Sequence, residues 1–426
     1  MKKALSVFLV FLLMVGILSG CGPDRDSESK TGDDQNTNNS GEEVEKPDKL
    51  VVWVNDEEKQ KEALEQIFNK YTEETGIEIE MVEVSMLDQI QNLSLDGPAG
   101  KGPDVFFQPH DRIGDIVLQG LADPIDLGDE KEDYSETAIS AVTYDGETYG
   151  APLVVETYGM FYNKDRVSEA PKTFEELQKI ADEQTNASNE EYGFLMEAAN
   201  LYFIWPFFAS NGAYIFKRGD DGSYDTNDIG LANEGAKKAG EIIRNWFDKG
   251  QIPVGITPDI MNGLFKDGKV SVVINGPWMA REYQDALGDK LGISILPEID
   301  GNVGKSFVGV KSWMLSAYSE NKEWAVDFMK FITNKENSLT YFEIAGEMPA
   351  NEAALTDPLV TDDPIVGAFA EQVQYGEPMP SVPEMQQVWE PANKALELLS
   401  KGEDTGVLDE AVDQIKANII ASGGGQ

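Results

Sequence analysis

The sequence predicts an α/β layered body, and three observations carry that expectation. Short apolar, strand-like runs alternate with helix-like segments from residue 50 onward. Runs such as Val270–Ile274 (VSVVI) are rich in β-branched residues, as buried strands are. The chain has 426 residues, too many for one small core, so two domains are expected.

Taken in order, Leu50–Val54 (LVVWV) reads as a strand, with Trp53 in its core. Glu57–Thr75 then places Ala63, Leu64, Ile67, Phe68 and Tyr71 at helical spacing, and Gly76 stops that helix. Ile77–Val84 (IEIEMVEV) is the next strand, and Gly102-Pro103-Asp104 leads into a third at Val105–Phe107. This rhythm of strand, helix and strand predicts a largely parallel sheet. Later, Thr173-Phe174-Glu175-Glu176 forms a capping box that opens a helix, and Trp324–Ile332 is amphipathic. Val270–Ile274 and Ile293–Leu296 read as further strands. Asn275-Gly276-Pro277 breaks the first of these and leaves Trp278 presented at its end. Trp246 and Trp324 lie on helical stretches and are expected to pack.

Composition excludes several function classes. Asp and Glu number 77 against 34 Lys and Arg, a formal net charge of −43. Such a field repels phosphate backbones, so nucleic acid is not an expected partner, and the excess acid reads as a solvated surface. The single cysteine, Cys21, permits no intramolecular disulfide. With His110 as the sole histidine, zinc sites and Ser-His-Asp triads are poorly supplied. No catalytic residue, metal ligand or cofactor is expected.

The N-terminus carries an address. Lys2 and Lys3 precede an apolar run, Ala4–Leu18, too short for a comfortable membrane span and matching a secretory signal peptide. It ends in Leu18-Ser19-Gly20-Cys21, which resembles the bacterial lipobox, whose cysteine is acylated and becomes the mature N-terminus. Residues 1–20 are therefore expected as signal peptide. Residues 21–48 are expected as the lipidated cysteine and a disordered linker, because this polar stretch has too little apolar surface to offset ordering. The body would sit at the outer face of the cell membrane, lipid-anchored.

A series of short motifs points to a family. Leu50-Val-Val-Trp-Val-Asn55, Gly102-Pro-Asp104, His110-Asp-Arg112, Tyr162-Asn-Lys-Asp165, Ile274-Asn-Gly-Pro-Trp278, Phe307-Val-Gly-Val310 and Met379-Pro380 with Pro383 and Trp389 occur in one order. The series resembles the maltose/maltodextrin-binding proteins of ABC importers, from Lys49 onward. The resemblance implies a two-lobed, periplasmic-binding-protein-like α/β fold with hinge crossovers near Val155, Leu296 and Met348. One lobe would take residues 49–154 and 297–348, the other residues 156–296 and 349–422. It also implies a monomeric receptor that closes around a maltodextrin and passes it to an ABC permease.

Aromatic rings cover the C–H faces of a sugar, while carboxylates, amides and guanidinium groups bond its rim. By resemblance, Trp278, Trp389 and Tyr202 are platforms, and Asp111, Arg112 and Glu156 bond hydroxyls. Glu57 and Asp88 align with acidic contacts, although each also reads as a solvated helix start. Trp313 reads equally as a cleft residue or as core, and His110 as a structural histidine. Three departures stand out: Gln108 where a tryptophan platform is usual, Asn200-Leu201-Tyr202 for Glu-Pro-Tyr, and Glu390 and Asn393 where Tyr and Arg are expected. They leave chain length, and the choice between linear and cyclic dextrins, open. A receptor for another oligosaccharide is the alternative, and an anchored glycoside hydrolase a more remote one, since such enzymes use two carboxylates about 5 to 9.5 Å apart.

Overall fold

The structure, a computed structural model, describes residues 45–219 and 223–423. The expected signal peptide and Cys21 lie outside these residues, as does the linker up to residue 44.

Two mixed sheets organise the body. In the first, Lys49–Val54 lies between Glu78–Glu83 and Val105–Pro109, parallel to both. The long strand Phe307–Ser316 then pairs antiparallel with Val105–Pro109 on one edge and with Gly150–Glu156 on the other. Its first residues, Phe307 and Val308, pair parallel with Glu377–Pro378. The second sheet runs Leu291–Ser294, Gly159–Asn163, Val270–Asn275, Tyr192–Leu195, with one parallel pairing among three. The expectation of a largely parallel sheet is thus corrected. The chain returns to the first sheet through Phe307–Ser316, which is inserted in the opposite sense and carries most of that sheet's pairing.

Burial explains why the strands read as apolar runs. Leu50, Val52 and Val54 face one core of the first sheet with Val105, Phe107 and Leu315. Trp53, Phe106, Val310 and Met314 face the other. With both faces covered, in/out alternation of polarity disappears. The helix Glu58–Thr75 lays Ala63, Leu64, Ile67, Phe68 and Tyr71 on the first core, and Gly76 ends it in the left-handed region (φ 73°), its N–H donating to Thr72 O at 2.8 Å. In the capping box, Thr173 accepts from Glu176 N, and Glu176 reaches one residue further back, to Lys172 N at 2.7 Å. Trp246 is buried in the second sheet's core against Phe194 and Phe207.

The chain crosses between the sheets. Gly150–Glu156 belongs to the first and Gly159–Asn163, three residues on, to the second. Val155 N–H donates to Met348 O at 2.9 Å, and Val154 bridges Pro349, so two crossing segments lie side by side. Leu296 is held separately, its N–H donating to Gln372 Oε1 at 2.8 Å.

Candidate functional site: an aromatic and acidic cleft

The ends of both sheets border a cleft of about 850 Å³. Trp278 stands in its wall, half-buried, on the single turn Pro277–Met279. The strand before it stops because Asn275 turns its side chain inward. Asn275 Oδ1 accepts from Gly276 N at 2.8 Å, and Nδ2 donates to Asn262 Oδ1 at 3.0 Å and to the Tyr283 hydroxyl at 2.9 Å. Gly276 is required by close approach. A Cβ there would fall 2.0 Å from Trp278 Cη2 and Cζ3 and 2.4 Å from Cε3, which places it over the ring face and not off the edge. The glycine backbone therefore backs the indole and fixes its tilt.

Tyr202 and Trp389 complete the aromatic surface. Tyr202 opens the helix Leu201–Ser210, whose first free N–H groups are met by Asn200 Oδ1 (from Tyr202 N, 3.0 Å) and Asn393 Oδ1 (from Leu201 N, 2.8 Å). Its ring lies 6.5 Å from Trp278 and 6.2 Å, stacked, from Phe307. Its hydroxyl is buried and has no hydrogen-bond partner among the described residues. Trp389, on the helix Gln386–Ser400, donates from Nε1 to Asp111 Oδ2 at 3.2 Å. Asp111 sits in the turn His110–Arg112, where Gln386 also donates to its carbonyl at 3.1 Å. His110 anchors that turn. Nδ1 accepts from Val310 N at 3.1 Å and Nε2 faces Met379 O at 3.3 Å, while burial holds the imidazole pKa below its usual value. Arg112, partly exposed, donates to Leu87 O at 3.0 Å and lines the cleft.

The polar floor is an ion triad. Lys311, 4% exposed, places Nζ 2.7 Å from Glu156 Oε2 and 2.7 Å from Glu347 Oε1, and 4.8 Å from the centre of the Trp278 ring. Glu347 is fully buried and also accepts from Gln60 Nε2 at 2.9 Å and the Tyr341 hydroxyl at 2.7 Å. Burial alone would lower the Lys311 pKa, but the two carboxylates outweigh it and hold the lysine above its ordinary value. Burial raises Glu156, against the pull of Lys311.

Glu57 and Glu197 also line the cleft, and no salt bridge joins either to a cation among the described residues. Glu57 is raised by burial to about 7, with Lys311 opposing and Glu347 adding to the shift. Glu197 is raised by burial to about 7, with the Asn200 amide opposing from 3.4 Å. A carboxyl whose folded pKa lies above its unfolded value holds its proton more tightly when folded. Its stabilising contribution is complete below about pH 4.5 and is lost as the pH rises through about 7. A Glu57→Gln/Glu197→Gln double variant is therefore expected to lose less melting temperature than the wild type between about pH 5 and about pH 8. Parallel melting curves against pH would contradict this assignment.

The cleft brings together Trp278, Trp389, Tyr202, Asp111, Arg112, Glu156, Glu57 and Asn200 of the residues expected from the sequence. Three of the candidates lie outside the cleft lining. Trp313 is fully buried, one pleat beyond Lys311, with Phe107 at 4.6 Å and Phe68 at 6.4 Å, so it is core of the first sheet. Gln108 is fully buried and does not line the cleft. Its Nε2 donates to Met86 O at 2.7 Å and so positions the loop that supplies Met86 to the wall. Asp88 is exposed at the start of the helix Gln89–Asp96, outside the cleft lining. Sequence reasoning missed Lys311, Glu347, Gln60 and Glu197. For Lys311 the signal was present: one lysine inside the buried run FVGVKSWMLS demands partners. Glu347, between a helix end and a crossing segment, carries no comparable mark.

Two mixed sheets that exchange chain beside one aromatic and acidic cleft define an α/β binding protein built from two halves. A family model described as bacterial extracellular solute-binding protein matches residues 66–368, and the chain belongs to that family. It is 34% identical to a galactooligosaccharide-binding protein of Bacillus subtilis (strain 168), covering 100% of both chains. It is 30% identical to a maltooligosaccharide ABC transporter solute-binding lipoprotein of Streptococcus pneumoniae (strain ATCC BAA-255 / R6), covering 98% of this chain and 97% of the relative. Among solved structures it is similar to a cyclo/maltodextrin-binding protein complexed with maltotetraose. The TM-score is 0.74 and the identity 41%, over 88% of this chain and 98% of that one. These relatives are solute-binding proteins.

Proposed function

We propose that this chain is a receptor that captures maltodextrins outside the cell and hands them to an ABC permease, with no chemical step of its own. The observation that carries this reading is the surface made by Trp278, Tyr202 and Trp389, joined in one cleft by Glu156, Lys311, Asp111 and Arg112. Rings cover the C–H faces of glucose units and planar polar groups meet the rim. In this reading the halves are residues 49–154 with 297–348 and residues 156–296 with 349–422. They close on the sugar because only the closed arrangement touches it from both sides. Cys21 carries the lipid, and the protein works as a monomer at the outer face of the membrane. The names of the maltooligosaccharide and cyclo/maltodextrin relatives support the sugar and importer parts of this proposal.

A galactooligosaccharide is the second reading, favoured by the relative that matches over the whole chain. Calorimetric titration with maltotriose, maltoheptaose, β-cyclodextrin and galactotriose separates the two. Micromolar binding of the glucans with weaker galactotriose binding is expected. Galactotriose binding alone would move the assignment to the second reading, and heat from none of the four would sink both. Maltoheptaose left with the protein is expected to stay intact; shorter products would mean hydrolysis.

A further inference from the structure

Two cores meet at the end of the helix Lys335–Ala345. Tyr341 and Ala345 are buried in the core of the first sheet, while Phe342 is buried in that of the second. One side chain from elsewhere grips this seam. Arg281, in the first turn of the helix Ala280–Leu287, sets its guanidinium carbon 5.2 Å from the centre of the Phe342 ring. Its stem passes against Gly346, where a Cβ would stand 3.1 Å from Cγ and 3.3 Å from Nε. Its Nη1 donates to Asp363 Oδ2 at 3.0 Å. The two side chains are 17% and 14% exposed, so solvent screens this pair only weakly. Asp363 is fixed in turn, because its Oδ1 caps the next helix by accepting from Ile365 N at 2.8 Å. Arg281 Nε is buried with no hydrogen-bond partner among the described residues, which trims the net gain of the contact.

Arg281, Phe342, Gly346 and Asp363 all lie outside the cleft lining. Arg281 nevertheless follows Trp278 by three residues, and Gly346 directly precedes Glu347, which holds Lys311. In the two-half reading, Arg281 and Asp363 belong to one half and Phe342 and Gly346 to the other. We infer that Arg281 is a clasp between the halves: seated on Asp363 and gripping Phe342 and Gly346, it holds the Trp278 wall against the Lys311 floor and sets the balance between open and closed clefts. A second tie on the same helix acts in the same direction. Lys59 Nζ, from the first half, lies 3.6 Å from Asp285 Oδ2, one turn beyond Arg281. With the Trp278 ring 4.8 Å from Lys311 Nζ, the walls are drawn together in this structure, and the clasp favours that arrangement over a wider one. Arg281 is a positioning residue and touches no sugar. Its unmet Nε donor keeps the grip weak enough to release.

The test leaves the cleft residues untouched. Arg281→Met removes the charge and keeps much of the stem, while Asp363→Asn keeps the helix cap and removes the partner charge. Stopped-flow binding of maltotriose, or of galactotriose if that is the sugar bound, reads association and dissociation separately. Each variant is expected to bind roughly five- to fiftyfold more weakly. Nearly all of the change should fall in the dissociation rate, because the sugar leaves only after the cleft opens. The double variant should lose little more than the more affected single one, since both act on one contact. Small-angle scattering should give the sugar-free variants a larger radius of gyration than the wild type, with the difference vanishing at saturating sugar. An arginine that serves only the fold would lower the melting temperature and leave dissociation rate and radius unchanged, which would overturn the proposal. Tighter binding by either variant would overturn it too, and Asp363→Asn carries the test if Arg281→Met does not fold. Only the kinetic arm rests on the sugar-receptor reading. Wild-type protein that binds neither glucan nor galactotriose brings down that reading, and the scattering comparison still decides the clasp.

Discussion

Trp278→Ala is expected to weaken maltotriose binding by roughly ten- to a hundredfold, about 1.5–3 kcal/mol, the order of burying one large apolar face. The melting temperature should fall by no more than about 5 °C, because the ring is half-buried and its removal opens the cleft instead of emptying a core. The ring is held by geometry outside itself. Asn275 stops the strand with three side-chain hydrogen bonds, and Gly276 lies against the indole face where any Cβ would collide. The substitution therefore removes the surface and keeps its mounting. Titration calorimetry and thermal melting of the same preparation check both halves of the prediction. Unchanged affinity would remove Trp278 from the site, and a collapse in melting temperature would make it core.

The largest effect on stability is expected at Glu347→Ala, about 3 kcal/mol by urea unfolding. The change takes an acceptor from Gln60 and Tyr341 and leaves Lys311 with only its contact to Glu156. Each of these groups is buried, so each loss carries a desolvation penalty that water does not repair. A comparison at the surface shows why burial decides the matter. Lys238 and Asp300 approach to 2.6 Å, but both side chains are 58% exposed. Removing Asp300 is expected to cost less than about 0.5 kcal/mol, since solvent screens that pair. A loss below about 1 kcal/mol at Glu347 would mean that water reaches the triad.

Much of the fold was legible because burial leaves a strong imprint on strands covered on both faces. Lys49–Val54 and Val270–Asn275 are read from their apolar runs, and Gly76 from the helix stop it makes. Strand direction left no such imprint. Phe307–Ser316 has the composition that either sense of pairing would give, and only the path of the chain between the sheets makes it antiparallel to its neighbours. Within the cleft, Trp278 was legible because a Gly-Pro break after a strand presents whatever follows. Trp313 was not, because an indole on a strand looks the same whether it borders a gap or lies under Phe68. Gln108 misled for another reason: it stands at a platform position of the family but spends its amide on Met86 O. The ion triad joins residues 156, 311 and 347, and no local pattern marks so distant a set.

The most direct measurement is a crystal structure of the protein with maltotriose. The account predicts a glucose ring whose C–H face lies on Trp278, with its hydroxyls on the cleft's carboxylate and guanidinium groups and a neighbouring unit against Tyr202 or Trp389. A sugar seated outside this cleft, or inside it with the Trp278 face bare, would contradict the account.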